Sequence, residues 1–268
     1  MLDNRLIVEG YINRSSFDSE NILDHYRTAL KHHINGIKLD LWMTEDEVPV
    51  IINACNATGL VKLWNIVNNK FVAVFIHKVS FDDLNNYRLS DRCTRVISLD
   101  EFLKELGEQT EMYIDFEIKQ ESDRLIEQLL TKVRQHSVQT PLELSSYFGH
   151  LKHVIHYWCN ALNLPQYPFC VNMGNHSSIT DKRFTNDMKI SDNNICIDLD
   201  LALCYPEETK AFVAELRNMG RNIKCQSSAV LADIENSELY VKLVDIGFDT
   251  FVSFMPLKFF QSGPDKFN

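Results

Sequence analysis

Two short stretches carry ionisable side chains at a spacing that could build a site. In Glu111-Met112-Tyr113-Ile114-Asp115-Phe116-Glu117-Ile118-Lys119, the residues Tyr113, Asp115, Glu117 and Lys119 fall on one face. Ile114, Phe116 and Ile118 fall on the other. In Gly36-Ile37-Lys38-Leu39-Asp40-Leu41, Lys38 and Asp40 share a face opposite Ile37, Leu39 and Leu41. Alternation with period two is the pattern of a strand. Ionisable groups on one face of so apolar a strand are costly to bury unless they surround a cavity, a ligand or each other. An ordinary half-exposed strand shows the same alternation. Two such strands, each followed by helical sequence, point instead to a shared charged centre, either a ligand site or a buried ion network.

The elements that must position this centre alternate along the chain. Strand patterns are read at Leu6–Tyr11, 36–41, Phe71–Ile76, 111–119, Pro168–Asn172, Ile195–Asp200 (Asp198 and Asp200 on one face), Asn222–Gln226 and Thr250–Ser253, with an apolar run at 48–53. Helical stripes are read at Glu20–Leu30 behind a Ser19 cap, from Ser80, at Leu99–Leu106, Arg124–Val133, near 149–162, at Pro206–Met219 closed by Gly220, and at Leu239–Ile246 ended by Gly247. About eight strands with helices between them predict an α/β fold, a single (β/α)8 TIM barrel over residues 1–268.

Bulk properties narrow the function. The 268 residues are 45% hydrophobic and 24% charged, ordinary for a globular chain. A net charge of -10 argues against broad binding to nucleic acid or anionic membranes, so no nucleic-acid partner is expected. Seven cysteines, scattered and never paired as CxxC, read as packed thiols rather than a disulfide frame or zinc site. There is no apolar leader at the start and no run long enough for a transmembrane segment, so the expected location is cytoplasmic.

The order Glu20-Asn21, Gly36-Ile37-Lys38-Leu39-Asp40 with Thr44, Val48-Pro49-Val50-Ile51-Ile52 and Phe116-Glu117-Ile118-Lys119 resembles the glycerophosphodiester phosphodiesterase family, a PLC-like phosphodiesterase barrel. Ser145-Ser146-Tyr147 and the last strand-and-helix unit are similar to later parts of that family. The resemblance implies a divalent ion held by carboxylates, two histidines acting as acid and base, and a phosphodiester or polar head-group ligand. At those positions this chain differs. Tyr11 stands where the first catalytic histidine is implied, or else Asn13 and Arg14 take the His-Arg places. Asn53 replaces the second histidine and Ala54 the aspartate after it. Lys38 replaces a metal-binding glutamate, while Asp40, Glu117 and Lys119 match.

These exchanges have physical consequences. Asparagine exchanges no proton near neutral pH and tyrosine does so only near pKa 10. Losing one general acid or base costs roughly 10²–10⁴ in rate. An ammonium about 4 Å from a divalent ion would be repelled by roughly 8 kcal/mol at an effective dielectric of 20. Lys38 is therefore expected to take the ion's place and neutralise Asp40 and Glu117. His77, His150, His153, His156 and His176 are the other candidates for this chemistry, although a lone loop or helix histidine is usually structural or exposed. The helical trio at i, i+3 and i+6 reads as a polar face rather than a metal site.

The leading expectation is a catalytically degenerate family member with no cofactor, acting by binding or regulation. Its ligand pocket would be Arg14, Lys38, Asp40, Asn53, Glu117 and Lys119, with Asp40 and Glu117 as residual metal ligands. The alternative is an active phosphodiesterase or lyase on glycerol- or lipid-linked phosphodiesters. It would use Mg or Ca, or Lys38 and Lys119 as oxyanion stabilisers. A protein-interaction platform with a protein partner is the third reading. Simple barrel filling stays open for each of these residues.

Overall fold

The computed structural model describes residues 5–9, 22–31, 35–54, 58–106, 112–173, 179, 185, 188, 194–226, 237–248 and 250–253. Numbering only the strands of the barrel, these are β1 (Arg5–Glu9), β2 (Gly36–Met43), β3 (Tyr113–Ile118), β4 (Leu142–Ser146), β5 (Phe169–Met173), β6 (Asn194–Asp198), β7 (Ile223–Gln226) and β8 (Thr250–Ser253). Each pairs in parallel with its neighbours, and β1 pairs with both β2 and β8, so the sheet closes. Parallel strands need long crossovers, and here these include helices such as Ile22–Lys31, Asp123–Gln135, Leu151–Ala161, Pro206–Asn218 and Ser237–Ile246. The fold is the (β/α)8 TIM barrel.

Local chemistry sets the ends of these helices. The Ser122 hydroxyl accepts from the Leu125 N–H and caps Asp123–Gln135. Leu125, Ile126, Leu129, Leu130 and Val133 then form its buried stripe. Gly220, at φ +74, ends Pro206–Asn218 in a left-handed turn that a side chain would resist.

The outward face of the sheet is apolar and packs under the helices in two clusters. One centres on Leu39, Phe102, Ile114, Phe116, Leu129 and Ile155, the other on Ile197, Val213, Leu216, Ile223 and Phe251. The inward face is polar, which departs from the branched aliphatic filling usual in such barrels.

Between β2 and β3 the chain inserts a small antiparallel unit. Strand Pro49–Ile51 turns back on β2 and pairs with Ile97–Ser98. Strands Leu60–Asn65, Lys70–Phe75 and Tyr87–Arg88 form a separate three-stranded sheet over Trp42, Leu63, Val74, Ile76 and Leu84.

Two sequence readings are corrected here. Asp198 and Asp200 do not share a strand face. β6 stops at Asp198, whose carboxylate accepts from the Asp200 N–H and caps a helix at Leu199–Cys204, and Asp200 is exposed. An Asp followed by Leu-Asp-Leu-Ala-Leu is as good a cap and first turn as it is a strand end. Phe71–Ile76, read among the barrel strands, is instead the strand Lys70–Phe75 of the antiparallel insertion, and Leu142–Ser146 takes its place in the barrel. Tyr11, Asn13, Arg14, Ser19, Glu20, Asn21 and His176 lie outside the described residues.

A candidate ligand site in an ion-paired barrel

The charged faces read from β2 and β3 meet inside the barrel. The register sets Lys38 beside Asp115 and Asp40 beside Glu117, then Asp115 beside Glu143 and Glu117 beside Ser145. Because successive side chains in a strand alternate, these residues all project inward. They sort into two layers.

The upper layer lies toward the carboxyl ends of the strands. Lys38 Nζ stands 2.7 Å from Glu117 Oε2 and donates to Gln226 Oε1 at 2.7 Å. Lys119 Nζ pairs with Glu117 Oε1 and reaches Asp40 Oδ1 at 3.3 Å. Lys38 is 1% exposed and Glu117 0%. Glu117 thus has an ammonium on each oxygen. Burial alone would raise its carboxyl, but Lys119 and Lys38 outweigh that and hold it down at about 2. Asp40 goes the other way. Burial, with the Glu117 charge adding to it, lifts Asp40 to about 6 against the pull of Lys119 and Lys38. The expected network exists, with one change: among the described residues, the direct ion-pair partner of Asp40 is Lys119, and Lys38 contacts Glu117 and Gln226.

The lower layer was not foreseen. Lys224 Nζ lies 3.1 Å from Asp115 Oδ2 and 2.9 Å from Glu143 Oε2, and bonds the Tyr113 hydroxyl at 2.6 Å. Tyr113 in turn bonds Glu143, and the Ser145 hydroxyl donates to Asp115 Oδ1 at 2.6 Å. Burial would lower the Lys224 ammonium, but Asp115, Glu143 and Tyr113 raise it well above its ordinary value. The signal was legible as alternation in Leu142-Glu143-Leu144-Ser145 and Ile223-Lys224-Cys225-Gln226. What alternation leaves out is which strand faces which across a barrel.

Three further groups could meet a ligand. The Tyr147 ring stands with its centroid 5.5 Å from Lys119 Nζ. Asn172, on β5 opposite Cys196, is 6% exposed, and both its side-chain nitrogen and oxygen are buried without a hydrogen-bond partner. Asn53 sits beside Asp40, because the Ile52 N–H bonds the Asp40 carbonyl, and its Nδ2 is likewise buried and unpartnered. Buried amides left without partners cost about 1–3 kcal/mol each, and a ligand can repay that. Of the predicted pocket, the structure brings together Lys38, Asp40, Glu117 and Lys119, with Asn53 at the Asp40 end; Tyr11 and Arg14 fall among residues not described.

His150 pairs with Glu121 at 3.0 Å on the exposed surface, and His156 is held below its ordinary value by partial burial and the Lys152 and His153 charges. Among the described residues no group of three or more His, Cys, Asp or Glu is arranged to hold a metal.

The profile of the glycerophosphoryl diester phosphodiesterase family matches residues 10–161, more than half of the chain. The chain belongs to this family. The same barrel occurs in a Galdieria sulphuraria protein named for glycerophosphodiester phosphodiesterase activity, with TM-score 0.73 and 15% identity over 95% of each chain. It occurs again in a glycerophosphodiester phosphodiesterase from Parabacteroides distasonis, with TM-score 0.65 and 14% identity over 99% of each chain. A phosphodiesterase from Oleispira antarctica, seen in complex with its product sn-glycerol-3-phosphate, has TM-score 0.67 and 19% identity over 97% of this chain and 96% of its own. At these identities the likeness speaks for the fold. No curated protein matches the chain.

The divalent ion that the family implies can be tested against these side chains. Mg²⁺ and Ca²⁺ take six or more oxygen ligands. Among the described residues, the two carboxylates of the upper layer are already bound by two ammoniums, which have no lone pair to offer. These two ammoniums and two carboxylates, among the described residues, balance one another, and that donor set does not fit a divalent ion.

Proposed function

We propose that this barrel has exchanged ion-dependent hydrolysis for the binding of a phosphodiester or polar head group, and that it acts by binding or regulation. The observation that carries the reading is the Lys38 ammonium 2.7 Å from Glu117, where family members are expected to set a second carboxylate for the ion. Asn53, in the place of a proton-shuttling imidazole, supports the same reading from the side of acid–base chemistry.

In this account Lys38 and Lys119 keep Glu117 and Asp40 neutralised. Lys119, beside the Tyr147 ring, offers an ammonium donor whose charge Glu117 and Asp40 already balance. Asn53 and Asn172 offer amide donors and acceptors to the ligand's oxygens and hydroxyls. Phosphate recognition by a lysine and neutral donors needs no metal.

The test is titration calorimetry of glycerophosphocholine in the presence of a chelator, with product analysis of the same samples. Binding without product, weakened at least tenfold by Asn172→Ala, is the expected outcome. Turnover that is lost in Glu117→Gln would establish the phosphodiesterase alternative, and absence of any binding would reduce the cluster to barrel filling.

A further inference from the structure

The antiparallel insertion carries a surface that the barrel site does not use. Strands Leu60–Asn65 and Lys70–Phe75 pair as a hairpin with Lys62 opposite Ala73 and Trp64 opposite Phe71. Their inner positions, Leu63 and Val74, are buried over Trp42 and Leu84, so Lys62, Trp64, Phe71 and Phe75 belong to the outer face. At the tip, Ile66 is 45% exposed and Val67 is 73% exposed. Large aliphatic side chains at a hairpin tip gain nothing from water.

Basic groups line the outer face of the same hairpin. The Arg92 guanidinium stands 4.3 Å over the Trp64 ring, Lys62 is 5.4 Å from the Phe71 ring centroid and Lys78 is 5.0 Å from that of Phe75. From Thr58 to Val96 the chain carries six lysines and arginines against three aspartates, although the whole chain stands at -10. With screening over about 8 Å at physiological salt, a local basic patch is felt by a partner before the distant acidic surface.

From this pairing of exposed aliphatic tip and basic, aromatic collar, we infer that the hairpin docks on an anionic phospholipid surface. The tip residues enter the acyl boundary, the aromatic rings sit at head-group level and Lys62, Lys70 and Arg92 meet the lipid phosphates. Among the described residues no helix is long and apolar enough to cross a membrane, so the contact is peripheral. A nucleic acid fits less well, because base stacking needs open ring faces and Arg92 already covers that of Trp64. The insertion leaves the barrel at the carboxyl end of β2, the end at which Lys119 and Tyr147 also stand. The inference itself rests on the hairpin alone and does not depend on the reading of the barrel mouth.

The experiment is cosedimentation with phosphatidylcholine vesicles, with and without phosphatidylserine, at low and high salt. The chain should bind the phosphatidylserine vesicles, and added salt should weaken the binding. Lys62→Gln with Lys70→Gln should weaken it more than tenfold, at about fivefold per cation. Ile66→Ser with Val67→Ser should weaken it as well, with circular dichroism unchanged in both variants. The inference is overturned if the wild type does not sediment with phosphatidylserine vesicles, or if neither double variant alters binding. Capture of poly-glutamate in place of vesicles would overturn it too, by making the face a peptide-docking surface. Glycerophosphocholine calorimetry on the same variants separates this result from that of the barrel site.

Discussion

Lys224 keeps two carboxylates, Asp115 and Glu143, out of water at the base of the barrel. Removing one partner of a buried ion pair typically costs about 3–5 kcal/mol, because a charge is left without a counter-ion. Lys224→Met is therefore expected to lower stability by about that much, on the order of 10 °C in Tm for a chain of this size. Thermal unfolding checks it, and a loss below about 1 kcal/mol would mean that the layer relaxes or admits water. Asp40 gives a prediction with the opposite sign from an ordinary carboxylate. Its folded pKa of about 6 lies above the ordinary 3.8, so the folded state holds an extra proton between those values. Stability from this group is present in acid and is lost as pH rises through about 6. Glu117, held at about 2, contributes stability above 4.5 that is lost as pH falls toward 2. Across pH 4 to 6, the stability of the wild type minus that of Asp40→Asn should fall with rising pH, read from urea midpoints. A rising difference would mean that Lys119 dominates Asp40.

At the level of the elements, β2 and β3 were legible because each alternates without interruption, and Gly220 and Gly247 marked helix ends in the sequence itself. The partners were not. Lys38 finds Gln226 across 188 residues of chain, and nothing local in either strand encodes that meeting. Asp198 shows the same limit over a short distance, since whether it ends a strand or caps a helix depends on where β6 meets its neighbours. β2 and β3 also test how tightly the lower layer is built. A Cβ on Gly36 would come within 2.4 Å of Tyr113 Cδ1 and 3.0 Å of its backbone oxygen. Tyr113 cannot swing aside cheaply while it is bonded to Lys224 and Glu143. Gly36→Ala is thus expected to cost about 1–3 kcal/mol by overpacking, measurable by denaturant unfolding. A neutral result would show that β2 and β3 can slide apart locally.

For the molecule as a whole, charge is divided by place. Among the described residues the upper layer balances its charges, residues 58–96 concentrate basic side chains at +3, and the rest of the chain carries -13 to give the net -10. The family could be read from motif order, since Val48-Pro49-Val50 and Glu117-Ile118-Lys119 keep their places while Lys38 and Asn53 keep the position and change the residue. Those departures, rather than the barrel, decide the chemistry. They meet in one claim, that an ammonium has taken the seat of the divalent ion. Titration calorimetry of Mg²⁺ and Ca²⁺ into the wild type and Lys38→Glu tests it directly. The account predicts no divalent-ion heat from the wild type and at least a tenfold gain in affinity in the variant. Wild-type binding that disappears in Glu117→Gln, or a Lys38→Glu variant with no gain, would contradict it.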